Sequence, residues 1–311
     1  MAYYIGVDIG GTNIKTGVIA ENGEIISEAS VPTGADRPQD VVLQDIIRAV
    51  RTSIESSKVD MSEIKAIGMG SPGVIDVENG IVTYNNNLGW RNFAIGPKMR
   101  AEFNIPAKLV NDADAAALGE VVAGSAKGAK SAMIITLGTG VGSGLVIDEK
   151  IFSGCEFGHM VIAYGGRKCT CGRHGCFEAY CSATGLINMT KEAIAEHPNS
   201  TLAEIAKREG VVSGHTVFAA ADEQDPIAIN IINEYTCYLA SGLANLINGL
   251  QPEVISIGGG IGKQGERLLV PLREKVIAEV YEGIRPKCAK IVSCTLGYKA
   301  GLIGAAMAAR D

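Results

Sequence analysis

The stretch Tyr3-Tyr-Ile-Gly-Val-Asp8-Ile-Gly-Gly-Thr12-Asn-Ile-Lys15-Thr-Gly-Val-Ile-Ala20 decides the fold. Its first six residues predict a buried strand that ends in an acid, and residues 13–20 alternate like a second strand. A Walker loop or a dinucleotide fingerprint would instead lead into a helix. Asn22-Gly23 is a strong hairpin signal, so a third strand is expected at residues 24–31. The predicted unit is strand, glycine turn, strand, strand.

The glycine turn of this unit suits an anion. Gly10 and Gly11 let backbone N–H groups approach a phosphate closely, and Thr12 adds a hydroxyl. Asp8 could hold a cation or its water. An ordinary hairpin turn explains the same residues about as well, because glycine is a common turn residue.

The same layout returns later in the chain. A buried strand is predicted at 131–137, followed by the turn Gly138-Thr139-Gly140-Val-Gly142 and a strand at 143–147. The chain therefore looks like two related halves. Two such turns on opposite sides of a cleft would hold a polyphosphate from both sides.

A third glycine turn, Gly258-Gly259-Gly260, follows a strand predicted at 253–257. This turn precedes a predicted helix at 266–281. It could let a flat ring lie against the backbone.

Polar residues follow two strands of the first half. The strand predicted at 64–69 ends in Gly70-Ser-Pro-Gly73, and the loop Asn85-Asn86-Asn-Leu-Gly-Trp90 is equally compatible with a surface loop and a binding loop. A short strand at 108–110 leads into Asn111-Asp112 at the start of an alanine-rich helix. The pair could cap the helix, or Asp112 could act as a general base with Asn111 beside it in substrate binding.

Three cysteines form a C-x-C-x4-C pattern at Cys169, Cys171 and Cys176. Together with one histidine, three thiolates make the usual shell of a structural Zn²⁺ site. His159 lies ten residues upstream and His174 lies inside the loop, and the spacing alone does not decide between them. Reduced core cysteines are the alternative interpretation.

Two carboxylates bracket this segment. Glu156 stands three residues before His159, and Glu178 stands two residues after Cys176. A metal that fixes the loop would fix both acids in one place.

Composition limits the class of protein. A chain of 311 residues, 47% hydrophobic and 20% charged, is long enough for two domains. Its net charge of -6 and pI near 5.4 argue against a nucleic-acid partner. The start has no signal-peptide pattern and no apolar run reaches the roughly 18 residues of a membrane span, so we expect a cytoplasmic protein that does not bind a membrane.

In this order the motifs resemble the ROK family of sugar kinases, most closely its zinc-containing bacterial glucokinases. The resemblance rests on D-I-G-G-T at 8–12, S-P-G at 71–73, N-D at 111–112, G-T-G-V-G-S-G at 138–144, E-x-G-H at 156–159, C-x-C-G-x-x-G-C-x-E at 169–178 and G-G-G at 258–260. It implies an α/β chain with the actin-like ATPase fold, in which two ribonuclease-H-like domains flank a cleft that binds ATP. The expected domains are residues 1–111 plus 297–311, and residues 112–296 with a zinc loop at 159–176.

The resemblance also implies a role for each matching residue. Asp112 would take the proton from the sugar 6-hydroxyl, and His159 would be both zinc ligand and sugar contact. The implied substrate-binding residues are Gly73, Asn86, Asn111, Asp112, Glu156, His159 and Glu178. The implied ATP and Mg²⁺ residues are Asp8, Gly10, Gly11, Thr12, Lys15, Gly138, Thr139, Gly140, Gly258, Gly259 and Gly260, with Asp8 at Mg²⁺. The implied Zn²⁺ ligands are His159, Cys169, Cys171 and Cys176.

The function that follows from the resemblance is ATP-dependent phosphorylation of glucose at the 6-hydroxyl. The alternatives are an N-acetylmannosamine kinase or another ROK hexose kinase and, from another class, a sugar-sensing regulator without enzymatic activity. ROK repressors carry a helix-turn-helix ahead of the D-x-G-G-T strand, and here that strand begins at residue 3, so a repressor is not expected. A homodimer or a dimer of dimers is usual in the family.

Overall fold

The computed structural model describes residues 1–86 and 88–310. Its strands are β1 (Tyr3–Ile9), β2 (Asn13–Ala20), β3 (Ile25–Pro32), β4 (Ile64–Ser71), β5 (Val74–Asp76), β6 (Ile81–Asn85), β7 (Trp90–Phe93), β8 (Ala107–Asn111), β9 (Ser131–Leu137), β10 (Val141–Ile147), β11 (Lys150–Phe152), β12 (Val254–Gly258) and β13 (Lys290–Ser293). Its helices are α1 (Gln39–Ser57), α2 (Ile95–Phe103), α3 (Asp112–Ala123), α4 (Phe177–Cys181), α5 (Ala183–Glu196), α6 (Thr201–Glu209), α7 (Thr216–Asp222), α8 (Pro226–Leu250), α9 (Gly259–Gly262), α10 (Glu266–Glu279) and α11 (Lys299–Ala308). Short 3₁₀ turns occur at Met61–Glu63, Phe157–His159 and Glu282–Lys287.

The chain folds into two compact units. Unit 1 comprises Met1–Ile134, Gly144–Gly154 and the chain from Cys294 onward, and unit 2 comprises Ile135–Ser143 and Cys155–Ser293. The domain limits expected from the sequence assign residue 112 onward to the second domain, whereas the structure has helix α3 in unit 1.

Helix α3 belongs to unit 1 because it packs against α11 with almost no side chain between the two backbones. A Cβ atom on Gly304 would overlap the carbonyl oxygen of Ala115, and one on Gly119 would overlap that of Ala300. Only glycine allows helix backbones to approach this closely at those positions. The base candidate Asp112 is therefore on an element that is fixed to unit 1.

The main sheet of unit 1 has the strand order β3-β2-β1-β4-β8. The hairpins β1-β2 and β2-β3 are antiparallel, and β4 and β8 run parallel to β1. The three-strand unit predicted from the sequence therefore forms one edge of this sheet. A smaller sheet has the order β5-β6-β7.

The core of unit 1 lies between this sheet and its helices. Apolar residues from the strands and from one face of α1 are fully buried, including Ile5, Val7, Ile46 and Val50. Burying such a side chain stabilises the fold by about 1.5–3 kcal/mol. On the other face α11 approaches β4 so closely that a Cβ on Gly68 would overlap the carbonyl oxygen of Ala305.

The second five-stranded sheet has the order β11-β10-β9-β12-β13. Within unit 2, β12 runs parallel to β13, and the phenolic hydroxyl of the fully buried Tyr235 on α8 donates to the carbonyl of Cys181 at 2.6 Å. No helix in residues 1–86 and 88–310 combines the length and the apolar character needed to cross a membrane.

Candidate functional site

In unit 1, three parallel strands bring functional residues to one edge of the sheet. Asp8 on β1 is in register with Gly70 on β4, and the next residue of β4, Ser71, is in register with Asn111 on β8. These positions are the carboxyl ends of their strands, where ligands of open α/β sheets usually bind. The structure therefore brings together three predicted motifs that lie far apart in sequence, from Asp8 to Asn111.

Asp8 is an acid of this edge with a perturbed pKa. Burial raises its pKa to about 6, the positive charge of Lys15 opposes that rise, and the negative charge of Asp112 adds to it. Lys15 stands opposite Asp8 in the β1-β2 register, and its ammonium lies 4.3 Å from the ring centre of Tyr298. Burial disfavours the ionised form of the carboxyl, and a bound cation would stabilise that form. This environment therefore fits the predicted Mg²⁺ role of Asp8.

The turn Gly10–Thr12 is stabilised from behind by one threonine. The hydroxyl of the buried Thr33 donates to the carbonyl of Gly10 at 2.6 Å, and its backbone N–H donates to the carbonyl of Thr12 at 2.9 Å. Both carbonyls are thus engaged by protein, which favours presentation of the turn to an anion through N–H groups. Sequence reasoning missed Thr33, because a single threonine after a strand carries no motif.

Asn111 and Asp112 cap helix α3, as the first interpretation of the pair predicts, and the base role of Asp112 stays a prediction. The side-chain oxygen of Asn111 caps α3 by accepting from the N–H of Ala113 at 2.9 Å, and Asp112 accepts from the same N–H at 3.0 Å. The Asn111 amide also donates to the carbonyl of Gly73 at 3.4 Å. Helix capping therefore fixes the orientation of the base candidate.

Gly73 and Asn86 belong to one polar region of unit 1. Gly73 has φ +101°, and a side chain there would overlap the carbonyl of Tyr84. Exposed Asn86 accepts from the Tyr84 hydroxyl at 3.0 Å. The residue that organises the loop is the buried Asn85, which donates to the carbonyl of Pro72 at 2.7 Å. Asn87 of the predicted loop lies outside the described residues.

In unit 2, the turn Gly138–Gly140 is hydrogen-bonded by the segment that starts α5. The N–H of Ala183 donates to the carbonyl of Gly138 at 2.7 Å, and the Thr184 hydroxyl donates to the carbonyl of Thr139 at 2.7 Å. As in the first turn, the carbonyls are engaged by protein. Neither Ala183 nor Thr184 was predicted, since they lie more than 40 residues away in sequence.

The third glycine turn lies beside this one. Gly259 has φ +80°, and a Cβ on it would overlap the carbonyl of Leu137, the residue that precedes Gly138. Gly258 is buried, whereas Gly259 and Gly260 are exposed. The structure therefore places the predicted phosphate turn and the predicted adenosine turn next to each other within unit 2.

The four predicted zinc ligands form one cluster. The ligand atoms of His159, Cys169, Cys171 and Cys176 all lie within 4.8 Å of one another. The sulfur atoms of Cys171 and Cys176 are 3.7 Å apart, and His159 Nδ1 is 3.7 Å from the sulfur of Cys169. Tetrahedral Zn²⁺ with Zn–S bonds of about 2.3 Å requires sulfur atoms about 3.8 Å apart, so the donor set fits this metal.

The chemistry of the thiols agrees with that fit. Burial, together with hydrogen bonds with Cys171 and Cys169, raises the pKa of Cys176 to about 12. Such a thiol becomes a thiolate near neutral pH only beside a cation, so metal binding here would release protons. His174 is exposed and pairs with Lys168 in a β-bridge outside the cluster, and the structure thus groups His159 rather than His174 with the cysteines.

The two glutamates occupy different environments. Glu156 is exposed, and its carbonyl accepts from the N–H of His159 at 3.0 Å. Glu178 is partly buried, accepts from the N–H of Val141 at 3.0 Å and accepts from the Thr170 hydroxyl at 3.0 Å. Glu156 is thus free to reorient toward a ligand, whereas Glu178 already has three protein partners, the third being the Cys169 thiol at 3.6 Å.

Comparison with known proteins assigns the chain to a family. A sequence model of the ROK family matches residues 4–311. The chain belongs to the ROK family. Among its relatives, a glucokinase of Halalkalibacterium halodurans is 38% identical over 308 residues, which span 97% of this chain and 93% of the relative.

Solved ROK structures match over the same length. A ROK family glucokinase from Streptomyces griseus, in complex with glucose and AMPPNP, superposes with a TM-score of 0.77 at 33% identity and covers 99% of both chains. A ROK hexokinase from Thermus thermophilus superposes with a TM-score of 0.84 at 28% identity, covering 99% of this chain and 98% of the other. The chain has the actin-like ATPase fold of these ROK proteins, as the sequence motifs implied.

Proposed function

We propose that this ROK protein is an ATP-dependent hexose kinase that phosphorylates the 6-hydroxyl of glucose. The observation that carries the proposal is the placement of Asp112. It lies at the first position of α3, at the strand-end edge that also holds Asp8, and its negative charge acts on Asp8. One acid suited to a cation and a second acid beside it are what a phosphoryl transfer site requires.

Asp112 is the proposed general base. Its carboxylate already accepts a hydrogen bond from the N–H of Ala113, which stabilises the ionised form at the start of a helix. The ionised acid would accept the proton of the sugar 6-hydroxyl as that oxygen attacks phosphorus. Asn111 would hold the neighbouring hydroxyls, since its own position is fixed by the cap of α3.

The proposed sugar ligands in unit 2 are Glu156, His159 and Glu178. All three flank or belong to the metal cluster, which has no open position when four protein atoms bind one ion. The metal would therefore act as a scaffold, and its loss would disturb sugar recognition rather than remove a Lewis acid. Carboxylate acceptors of this kind discriminate sugars by the hydroxyls that each one presents.

The nucleotide would be bound by the glycine turns and Asp8. In each turn the first and another carbonyl accept hydrogen bonds from protein, and the first N–H, that of Gly10 or Gly138, donates to the carbonyl of Asn13 or Gly140. The remaining N–H groups of the turns would donate to phosphate oxygens. Gly258–Gly260 would lie beside the adenosine, and Lys15 would add positive charge. A bound Mg²⁺ would neutralise charge on the phosphates, with Asp8 as its protein partner.

A hexose panel tests the proposal. A coupled assay for ADP formation with ATP should give turnover with glucose and lower kcat/KM with mannose and N-acetylmannosamine. A higher kcat/KM with N-acetylmannosamine than with glucose would make N-acetylmannosamine the preferred substrate. Calorimetric binding of glucose without any ADP formation would contradict the kinase and favour a sugar sensor. A cytoplasmic location stays a prediction from the sequence, and a homodimer or a dimer of dimers stays an expectation from the family resemblance.

A further inference from the structure

The most informative contact outside the proposed chemistry is made by Glu178. One carboxylate oxygen accepts from the backbone N–H of Val141 at 3.0 Å, directly after the turn Gly138–Gly140. The other accepts from the Thr170 hydroxyl at 3.0 Å and lies 3.6 Å from the sulfur of Cys169. One side chain thus joins the phosphate turn to the metal cluster.

The space around this carboxylate is limited. A Cβ atom on Gly140 would overlap the Glu178 oxygen that accepts from Val141. The carboxylate therefore lies directly against the turn, and its position depends on that of the turn. Because α4 begins at Phe177, immediately after the ligand Cys176, the base of the Glu178 side chain also depends on the cluster.

The other hydrogen bonds of the turn come from elsewhere. Ala183 and Thr184 engage the carbonyls of Gly138 and Thr139 and form no hydrogen bond with the cluster in the described part of unit 2. Of the groups that hold the turn, Glu178 alone among described residues also touches a metal ligand. A change at the cluster can therefore reach the turn through this one side chain.

We propose that Glu178 is a positioning residue that couples the metal cluster to the nucleotide-binding turn. The inference rests on the proposed function, because it takes Gly138–Gly140 as a phosphate site. With metal bound, Cys169 would be a thiolate that has no proton to donate, so the Thr170 hydroxyl and the chain that runs from the ligand Cys176 into α4 hold the carboxylate where it orders Val141 and the turn. Without metal, the loop that carries Thr170 loosens, and the turn loses one of its hydrogen bonds to protein.

The same geometry revises an expectation that the sequence supports. In sequence, the glycine turns lie outside the cysteine segment, so metal loss should affect the sugar and spare the nucleotide. In the structure, however, the hydrogen bond between Glu178 and Val141 connects the turn to the cysteine segment, so the nucleotide site is not independent of the metal. Metal loss should weaken the binding of both substrates.

A thermodynamic cycle tests the coupling in the absence of sugar. Calorimetry measures the Kd of the ATP analogue AMPPNP for zinc-loaded and chelator-treated protein, for the wild type and Glu178→Ala. We expect metal removal to weaken AMPPNP about tenfold in the wild type and less than twofold in Glu178→Ala. Coupling is reciprocal, so AMPPNP should tighten Zn²⁺ binding by the same factor in a chelator competition.

Two further variants separate positioning from general damage. Glu178→Gln keeps an oxygen for the Val141 N–H and an amide for the Thr170 hydroxyl, so it should retain AMPPNP affinity within about twofold while glucose binding weakens. Thr184→Val removes a hydrogen bond that does not involve the cluster, so it should weaken AMPPNP without reducing the metal effect.

The outcomes distinguish this inference from the proposed function. Equal AMPPNP affinity with and without metal in the wild type, or an equal metal effect in Glu178→Ala, would overturn the coupling and leave the kinase proposal intact. If the protein shows the coupling but phosphorylates no hexose, the role of Glu178 is supported and the proposed kinase activity is contradicted. Wild-type protein that does not bind AMPPNP would contradict both.

Discussion

At the scale of single residues, Asp8 shows how a functional side chain can destabilise the folded state. Its carboxyl is largely buried, and the positive charge of Lys15 only partly opposes the burial that raises its pKa to about 6. Ionised Asp8 is thus retained at a cost to folding. A residue kept under such conditions is typical of a functional acid rather than a structural one.

We predict that Asp8→Asn stabilises the protein in a pH-dependent way. The carboxyl has a pKa of about 6 when folded and 3.8 otherwise, so between these values the folded state binds more protons and stability falls as pH rises. The shift corresponds to about 3 kcal/mol. Urea unfolding should show Asp8→Asn and wild type nearly equal at pH 4, with the variant about 3 kcal/mol more stable at pH 7. Parallel pH profiles would refute this account of Asp8.

The second residue-scale prediction concerns Asp112. Asp112→Asn keeps an oxygen that can accept from the N–H of Ala113, and the Asn111 cap is untouched, so folding should be preserved. Loss of a general base lowers kcat by about 10²-fold or more. The check is kcat for glucose beside calorimetric glucose binding, which should stay near wild type. Near-normal turnover would show that Asp112 is not the base.

At the scale of elements, glycines determine where helices can pack. Periodicity predicts α1 at 39–57, α5 at 183–196, α6 at 201–209 and α8 at 226–250 with the limits that the structure shows. It does not indicate that α3 and α11 touch through Gly119 and Gly304. The buried face of a long amphipathic helix produces a periodic pattern of apolar residues in the sequence. A close contact between two helix backbones requires only small residues and produces no such pattern.

We predict that Gly304→Ala strongly destabilises unit 1. The new methyl group would overlap the carbonyl oxygen of Ala115, and two helix backbones would have to separate. The expected loss is about 3 kcal/mol, at the upper end for overpacking. Gly249→Ala on α8 is the control, because no atom lies near its Cβ position and alanine should add up to about 1 kcal/mol. Equal urea midpoints for Gly304→Ala and wild type would disprove the close contact.

At the scale of the whole molecule, the sequence predicts some features much better than others. The hairpin β1-β2-β3 and the strand-turn-strand at β9-β10 follow from alternation and glycine, and the cysteine cluster follows from spacing. The small sheet β5-β6-β7 and helices α2 and α7 were not predicted, since each is short and has mixed polarity. Residue roles that depend on a distant partner, such as Thr33, were also missed.

Site residues differ in the same way. Asp8 and Asn111 end strands, so their shared edge can be deduced once the strands are parallel neighbours. The second contact of Glu178 with Val141 spans 37 residues and carries no motif. The sequence therefore supplied the chemistry of Glu178 but not its link to the turn.

The last prediction concerns how metal loss spreads through the chain. All four ligands belong to unit 2, so metal binding should stabilise that unit first. In hydrogen-exchange mass spectrometry, Cys171→Ser should accelerate exchange about tenfold or more in residues 159–178 and, through Glu178, in 138–141. Exposed Cys171 leaves no cavity when replaced by serine, and the exposed His174→Ala is the matched control that should keep the metal.

The strands β1, β2 and β3 supply the contrast, because they belong to unit 1 and contain no metal ligand. Their amides should exchange at the wild-type rate in Cys171→Ser, since local opening leaves the hydrogen bonds of other cooperative units in place. Uniform acceleration over both units would mean that the metal supports global folding. Acceleration in residues 159–178 that leaves 138–141 unchanged would separate the cluster from the phosphate turn and contradict the role of Glu178.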